Sequence, residues 1–420
     1  MKFRKNKAVV MSIIIASTLL ACAPQNTQPE INQTEIAPTT GIFSEAAEAF
    51  YQERFKILVE AFKRGQGTTD YDTELYFGTN LNPIPIARGN SNIPADTLSE
   101  VIEYTRVQNS DSFLIYQDGK IVSENYFGDI TDQTLINAKS LAKPLGVIAV
   151  GRALKAGYIQ SLDQPVSDFI VEWKDTDKAD IKLRYLLDMR SGLLPQAPAQ
   201  SPDDVLNRAY LHPHHDEVII HEYPLTHEPG SIYQYSNANS ELVSVIIERA
   251  TGQAYQDWLA EQVLAPLGAP GGKIWLNRDG GVAHSGCCVK LTSETYLKLA
   301  VMIMNGGEWN GDSFLPTEFI ETMTTSTQQN RFTGMGVFLG KEYKEYRGSL
   351  NPDMDDYSAS YHGEPYLDPA TLLFDGNGNQ VVYILPSQNM VIARFGNRPK
   401  GEPKWDNAYL PNTVLRSLEP

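Results

Sequence analysis

The chain has 420 residues, 42% of them apolar and including 21 Tyr and 15 Phe, enough to fill the core of one large domain or two smaller ones. Against 35 basic residues stand 51 acidic ones, a net charge of -16 that repels phosphate backbones and offers no basic patch for nucleic acid. Three cysteines show neither a disulfide framework nor a zinc spacing.

At the amino end, Lys2, Arg4, Lys5 and Lys7 precede an apolar run from Ala8 to Ala21 that is too short for a comfortable membrane span. This order predicts a leader over residues 1–22 that is removed on export. Residues 23–42 are polar and proline-bearing, with almost nothing to bury, as a flexible tether requires. Leu19-Leu20-Ala21-Cys22 resembles the lipobox of bacterial lipoproteins. The resemblance implies that Cys22 is acylated and anchors the mature chain to a membrane outside the cytoplasm, in the bacterial periplasm. With Cys22 set aside, Cys287 and Cys288 are adjacent, and a bond between them closes a strained eight-membered ring. Two buried thiols packing as small hydrophobes are expected instead.

From Ser44 to Arg64, Ala47, Phe50, Tyr51, Leu58, Ala61 and Phe62 recur at spacings of three and four, and Gly65 ends the pattern. That predicts an amphipathic helix. A loop rich in Asn, Pro and Gly covers 65–95, and Leu98–Val107 reads as a second helix, so residues 43–110 form an N-terminal helical extension. The main domain then runs over 111–420. Phe113–Gln117 and Ile121–Phe127 flank Asp118-Gly119, the strongest short hairpin signal available. A helical pattern extends from Ala138 to Leu154, with Gly157 as its stop. Leu162–Val166, Ile181–Leu193 and the periodic run Ser240–Ala250 keep the chain mainly helical across about 138–290. Strand character returns at Met335–Leu339, Gln380–Leu385 and Met390–Phe395, the last two joined by a turn at Pro386–Asn389, and a helix over Leu410–Leu418 ends the chain. These elements predict an α+β fold with one antiparallel sheet, flanked by terminal helices and fed from both ends of the chain. A mainly helical lobe is inserted, and a ligand is expected in the cleft between sheet and lobe.

Three stretches carry chemistry. Ser140 and Lys143 fall one helical turn apart on one face, so an amine can take the proton that a serine must lose to become a nucleophile. If a helix starts here, its N-terminal N–H groups also favour the oxyanion formed on attack. Tyr235 and Asn237 follow just before the helix at Ser240; a tyrosine can relay a proton, and an asparagine amide can both donate to and accept from a substrate amide. Phe374-Asp375-Gly376-Asn377-Gly378-Asn379-Gln380 leads into a strand, and its glycines let a substrate lie along the strand edge opposite the N–H of Ser140.

In this order the three stretches resemble the serine-active β-lactamase and D-alanyl-D-alanine peptidase superfamily. The likeness is to its class C-like branch, which includes esterases and 6-aminohexanoate-dimer hydrolases. The family's SxxK matches Ser140 and Lys143, its YxN matches Tyr235 and Asn237, and its KTG-type element falls on Phe374-Asp375-Gly376. Ile181–Leu193 looks like the branch's LLxHTSGL segment, and Ser285–Cys288 followed by Asn305–Gly311 looks like its later helix and loop. The resemblance covers Phe113 to the C-terminus and implies a β-lactamase/transpeptidase-like fold. It also implies acyl transfer through Ser140, with Lys143 and Tyr235 handling the proton, Asn237 holding the substrate, and Asp375 and Gly376 beside the oxyanion strand. Neither a metal nor another cofactor is required.

The implied substrate is a small-molecule or peptide-like amide or ester. Besides an amidase or esterase, the resemblance admits a β-lactamase or D-alanyl-D-alanine carboxypeptidase, or a penicillin-binding receptor that acylates without turnover. Two departures from the family pattern bear on this. Pro144 follows Lys143 directly, which predicts a tightened or irregular turn at Ser140. Phe374-Asp375 replaces Lys-Thr, so the Asp375 carboxylate is expected to oppose an anionic substrate group by about 1–4 kcal/mol and to favour neutral or amine-bearing substrates. Lastly, His212, His214, His215 and His221 cluster with Asp216 and Glu222 around a proline and without an HExxH frame. They read as a surface loop over the cleft rather than a metal site.

Overall fold

Two hairpins from opposite ends of the chain, apolar on both faces, build the central sheet. This computed structural model describes residues 43–64, 72–78, 82–137, 139–348, 350–351, 359–400 and 404–418. The expected leader, the tether and Cys22 lie outside the described residues. The sheet has seven strands in the order Phe338–Leu339, Leu372–Gly376, Gln380–Leu385, Met390–Gly396, Ser110–Gln117, Lys120–Tyr126 and Ala87–Arg88. All neighbours are antiparallel except the last, where Ala87 and Arg88 run parallel to Lys120 and Ile121. The two ends of the chain meet where Val391 pairs with Tyr116 and Ile392 with Ile115. In the first hairpin Asp118 and Gly119 both take positive φ, 49° and 87°, as the tight turn requires.

Because successive strand residues face opposite ways, each strand contributes to two cores. Phe113, Ile115, Tyr383 and Ile392 pack with Val101 and Tyr104 of the helix Ala95–Val107 and with Leu410 and Val414 of the terminal helix Tyr409–Leu418. Leu114, Tyr116, Ile384 and Val391 belong to the larger core shared with the helices Ala142–Lys155, Asn237–Thr251 and Ser293–Met304. At the amino end, Ser44 caps the helix Glu45–Lys63 by accepting from Ala47 N–H at 3.2 Å.

Three expectations need correction. A second sheet of four strands accompanies the helices: Glu74–Phe77, Gly272–Trp275, Val289–Leu291 and Ile136–Asn137. None exceeds four residues, too short for a two-residue alternation to register in sequence. The strand expected over Met335–Leu339 is confined to Phe338–Leu339, because the chain folds back at 334–337, where Gly334 N–H donates to Val337 C=O at 2.9 Å. Cys287 and Cys288 are joined as a disulfide rather than standing as thiols. Cys288 takes a φ of 69°, outside the extended backbone that sends neighbouring side chains to opposite faces.

Arg394 pins the sheet to the glycine-rich turn that follows Gly376. It is fully buried. Its guanidinium donates to the carbonyls of Gly378, Asn379, Gln108 and Asn397 at 2.7–3.0 Å and to Ser110 Oγ at 2.8 Å. Burial lowers its pKa to about 10, which leaves it a cation at neutral pH. Arg394→Ala strips these buried acceptors of their donor and is expected to lower unfolding free energy by about 3–5 kcal/mol in urea titrations. Arg394→Lys should recover only part, because an ammonium cannot span the fork.

Candidate active site

Ser140 is the middle residue of a single 3-10 turn, Lys139–Leu141, that leads into the helix Ala142–Lys155. Lys139 takes a φ of 51°, and its N–H donates to Asn137 Oδ1 at 3.1 Å. That bond ties the turn to the short strand Ile136–Asn137, and Ser140 lines the cavity wall. The irregular turn expected from Pro144 is present, and the α-helix proper starts two residues after Ser140. Pro144 is its third residue, where a backbone N–H has no intrahelical partner to lose.

The one-turn spacing still brings Lys143 Nζ to 3.3 Å from Ser140 Oγ. Lys143 is buried, and its second partner is another neutral oxygen, the carbonyl of Gly286 at 2.8 Å. Tyr235 Oη lies 3.0 Å from Ser140 Oγ, and the ring of Tyr235 has Lys143 Nζ 5.0 Å from its centroid. Ser140 Oγ therefore touches both groups that could take its proton.

Tyr235 precedes the helix Asn237–Thr251 and is held there by the Ile181–Leu193 segment and its continuation. Gln234 N–H donates to Met189 C=O at 2.8 Å, Gln196 N–H donates to Tyr235 C=O at 2.7 Å, and Ser191 Oγ donates to Asn239 Oδ1 at 2.5 Å. A segment with no reactive side chain thus sets the position of the tyrosine. Asn237 Nδ2 donates to Gln196 Oε1 at 2.9 Å, which fixes its amide plane. Gln196 escaped the sequence reading; its only signal was its place three residues after that segment. Gln380 also escaped it as a positioning residue. Its Nε2 donates to Asn137 C=O at 2.9 Å and couples the approach to the Lys139–Leu141 turn to the strand Gln380–Leu385.

The strand Leu372–Gly376, unread in the sequence, pairs with Phe338–Leu339 only at Leu372 and Leu373. From Phe374 onward that edge is open and packs towards the Lys139–Leu141 turn. Ser140, Lys143, Tyr235, Asn237, Asp375 and Gly376 all line one cavity of about 380 Å³, within the usual size of ligand sites. Phe374 turns away into the core. Asp375 keeps some accessible surface, but burial pushes its carboxyl up to about 7, moderated by the Arg347 guanidinium. Arg347, itself buried, donates to Leu339 C=O and Glu342 C=O at 3.1 and 2.9 Å. The lone negative charge expected on this strand is therefore balanced by a nearby cation and partly neutral near pH 7.

The histidine cluster is not a loop over the cleft. Val205–Leu211 and His215–His221 are short helices packed against Glu45–Lys63 and Asn237–Thr251. His212 and His215 are fully buried, and no histidine from 212 to 221 lines the cavity. Phe43, with its ring 4.2 Å from that of His212, and Tyr51 cover a stretch whose polarity suggested exposure.

With this geometry in hand, comparison with known proteins places the chain. A β-lactamase from Yersinia enterocolitica is 25% identical over 196 residues, 45% of this chain and 47% of that protein, so the match spans about half of this relative. A 6-aminohexanoate-dimer hydrolase from Paenarthrobacter ureafaciens is 22% identical over 284 residues, 62% of this chain and 70% of that protein. Among solved structures, a family VIII carboxylesterase shares the fold with a TM-score of 0.55 and 17% identity, over 77% of this chain and 96% of that one. The family model described as Beta-lactamase matches residues 102–411, most of the chain and all of the cavity-lining residues named above, and the chain belongs to that family.

Proposed function

We propose that the protein is a serine hydrolase that cleaves an amide or ester bond through an acyl-enzyme on Ser140. The observation that carries this reading is the double contact of Ser140 Oγ, with Tyr235 Oη at 3.0 Å and Lys143 Nζ at 3.3 Å. A hydroxyl is a poor nucleophile until a group in hydrogen-bond reach removes its proton. In acylation the Oγ proton passes to the Lys143–Tyr235 pair as Oγ bonds to the substrate carbonyl carbon and the carbonyl π pair moves onto oxygen. That oxyanion faces the open edge of the Leu372–Gly376 strand. When the C–N or C–O bond breaks, the proton is delivered through Tyr235 to the departing amine or alkoxide. Water then adds to the acyl-enzyme, giving a proton to the same pair, and collapse returns that proton to Ser140 Oγ and releases the acid. Asn237, steadied by Gln196, is suited to hold the substrate amide.

The names of the relatives, a β-lactamase, an aminohexanoate-dimer hydrolase and a carboxylesterase, support hydrolysis of amides or esters without choosing among them. The Asp375 carboxylate supports neutral or amine-bearing substrates over penicillins, a preference that Arg347 weakens and that grows as the carboxyl ionises with rising pH. The basic, apolar, small-residue, cysteine order at the amino end supports an exported form anchored to a periplasmic membrane face through Cys22.

Ser140→Ala is expected to abolish the mass shift produced by a fluorophosphonate. Lys143→Ala and Tyr235→Phe should each lower kcat/KM by several orders of magnitude, with the double variant little worse than either, because members of one catalytic unit are not additive. Near-normal kcat in Lys143→Ala would remove the lysine from the mechanism. Labelling of the wild type without turnover of any ester or amide would point to a receptor.

The Asp375 carboxyl is neutral below its raised pKa of about 7 and charged above it. The ratio of kcat/KM for a cationic amide to that for a short-chain nitrophenyl ester should therefore rise between about pH 6 and pH 8, and Asp375→Asn should flatten it. Efficient nitrocefin hydrolysis, unchanged in Asp375→Asn, would instead favour β-lactamase or D,D-peptidase chemistry. Cys22→Ser is expected to move the protein from the membrane to the soluble fraction. Continued membrane partitioning after leader removal would exclude the anchor.

A further inference from the structure

Beyond the carbonyl that holds Lys143 lies a second cluster that the reaction does not use. His215 opens the helix His215–His221, Glu241 lies one turn into the helix Asn237–Thr251, and His284 sits in the loop before the strand Val289–Leu291. Their relative exposures are 0, 3 and 0%. His215 Nε2 and His284 Nδ1 lie 3.7 and 3.3 Å from the same atom, Glu241 Oε2. The two imidazoles stack with centroids 4.0 Å apart, and the ring of Trp275 stacks on His284 at 4.0 Å.

His215 Nε2 and His284 Nδ1 approach Glu241 Oε2 as ion-pair contacts without the alignment of a hydrogen bond, and the other ring nitrogen of each imidazole has no partner. Buried polar atoms are almost always paired, so these five atoms call for a further partner, and one from each residue can face a shared point. Candidate ligand atoms from the three residues all lie within 4.8 Å of one another. We propose that His215, Glu241 and His284 form a buried site for a divalent cation of the zinc class. Two imidazole nitrogens and one carboxylate oxygen are a donor set that zinc takes, with a fourth position left for water. Zinc bonds of about 2.0–2.1 Å at tetrahedral angles put donor atoms about 3.4 Å apart, close to the 3.3 and 3.7 Å between each imidazole nitrogen and the carboxylate oxygen, and loading requires the stacked rings to turn so that both in-plane lone pairs meet the ion. A cation at that point satisfies three of the five atoms and neutralises a buried carboxylate.

The site would act by positioning. Gly286, two residues beyond His284, supplies the carbonyl that holds Lys143 Nζ, and a Cβ on Gly286 would meet Glu241 Oε1 at 2.8 Å. Tyr235 precedes the helix that carries Glu241. The metal therefore clasps the loop that positions the lysine to the helix that positions the tyrosine.

The test uses the purified protein, freed of any histidine tag, stripped with EDTA and then dialysed against Zn²⁺. Expected are about one zinc per chain by mass spectrometry of the metal and a thermal midpoint above that of the stripped protein. Glu241→Gln combined with His284→Ala should retain less than about a tenth of that zinc at the same free concentration. Uptake far below one equivalent by the wild type overturns the proposal and leaves a buried histidine–carboxylate cluster. Equal uptake by the double variant also overturns it, by placing the metal elsewhere. Should the double variant not fold, Co²⁺ loading of the wild type decides. Intense visible bands of a four- or five-coordinate site support the proposal, and only the weak bands of six-coordinate cobalt overturn it. None of these readouts depends on hydrolase activity.

Discussion

The site is organised by one buried lysine. Lys143 Nζ is withdrawn from water and held between two neutral oxygens, Ser140 Oγ and the carbonyl of Gly286. Taking a lysine head group out of water is costly unless its hydrogen bonds are made, so each of these oxygens must be kept in place by something rigid. For Ser140 that support is the 3-10 turn, clamped by Asn137 and joined through Gln380 to the sheet. For Gly286 it is a loop tied to the helix Asn237–Thr251, where Ser244 N–H donates to Ser285 Oγ and Ser285 Oγ donates to Ser240 C=O.

The same economy explains why long stretches without reactive side chains matter. Ile181–Leu193 has no chemistry, yet its Met189 carbonyl and Ser191 lock Gln234 and Asn239 on either side of Tyr235. Arg394 lies outside the cavity lining and spends its donors on four carbonyls and a hydroxyl that shape the turn beside the Leu372–Gly376 strand. Catalytic geometry tolerates errors of only a fraction of an ångström, so such supports are as necessary as the reacting groups. Electrostatics in the cavity follow the same logic. Asp375 is a departure from the family pattern on its strand, but burial holds its carboxyl partly neutral and Arg347, from a different part of the chain, opposes the charge that remains.

The sequence by itself determined the parts governed by local periodicity and fixed spacing. The Asp118-Gly119 hairpin, the strands Gln380–Leu385 and Met390–Gly396, the main helices and the one-turn relation of Ser140 to Lys143 all follow from interactions within a few residues. Six of the residues named from motifs, Ser140, Lys143, Tyr235, Asn237, Asp375 and Gly376, come together in one cavity. Only the tertiary structure decided what depends on partners distant in the chain. The four short strands of the second sheet are too brief to signal themselves, and each exists only because another covers it. Burial of His212 and His215 comes from residues around Phe43, Tyr51 and Trp275, and polarity along the chain carries no record of such neighbours. The charge balance at Asp375, the roles of Gln196 and Gln380 and the meeting of His215, Glu241 and His284 rest on contacts between residues far apart in sequence. Local patterns encode which elements form, whereas the atoms those elements bring within bonding distance are set by how they pack.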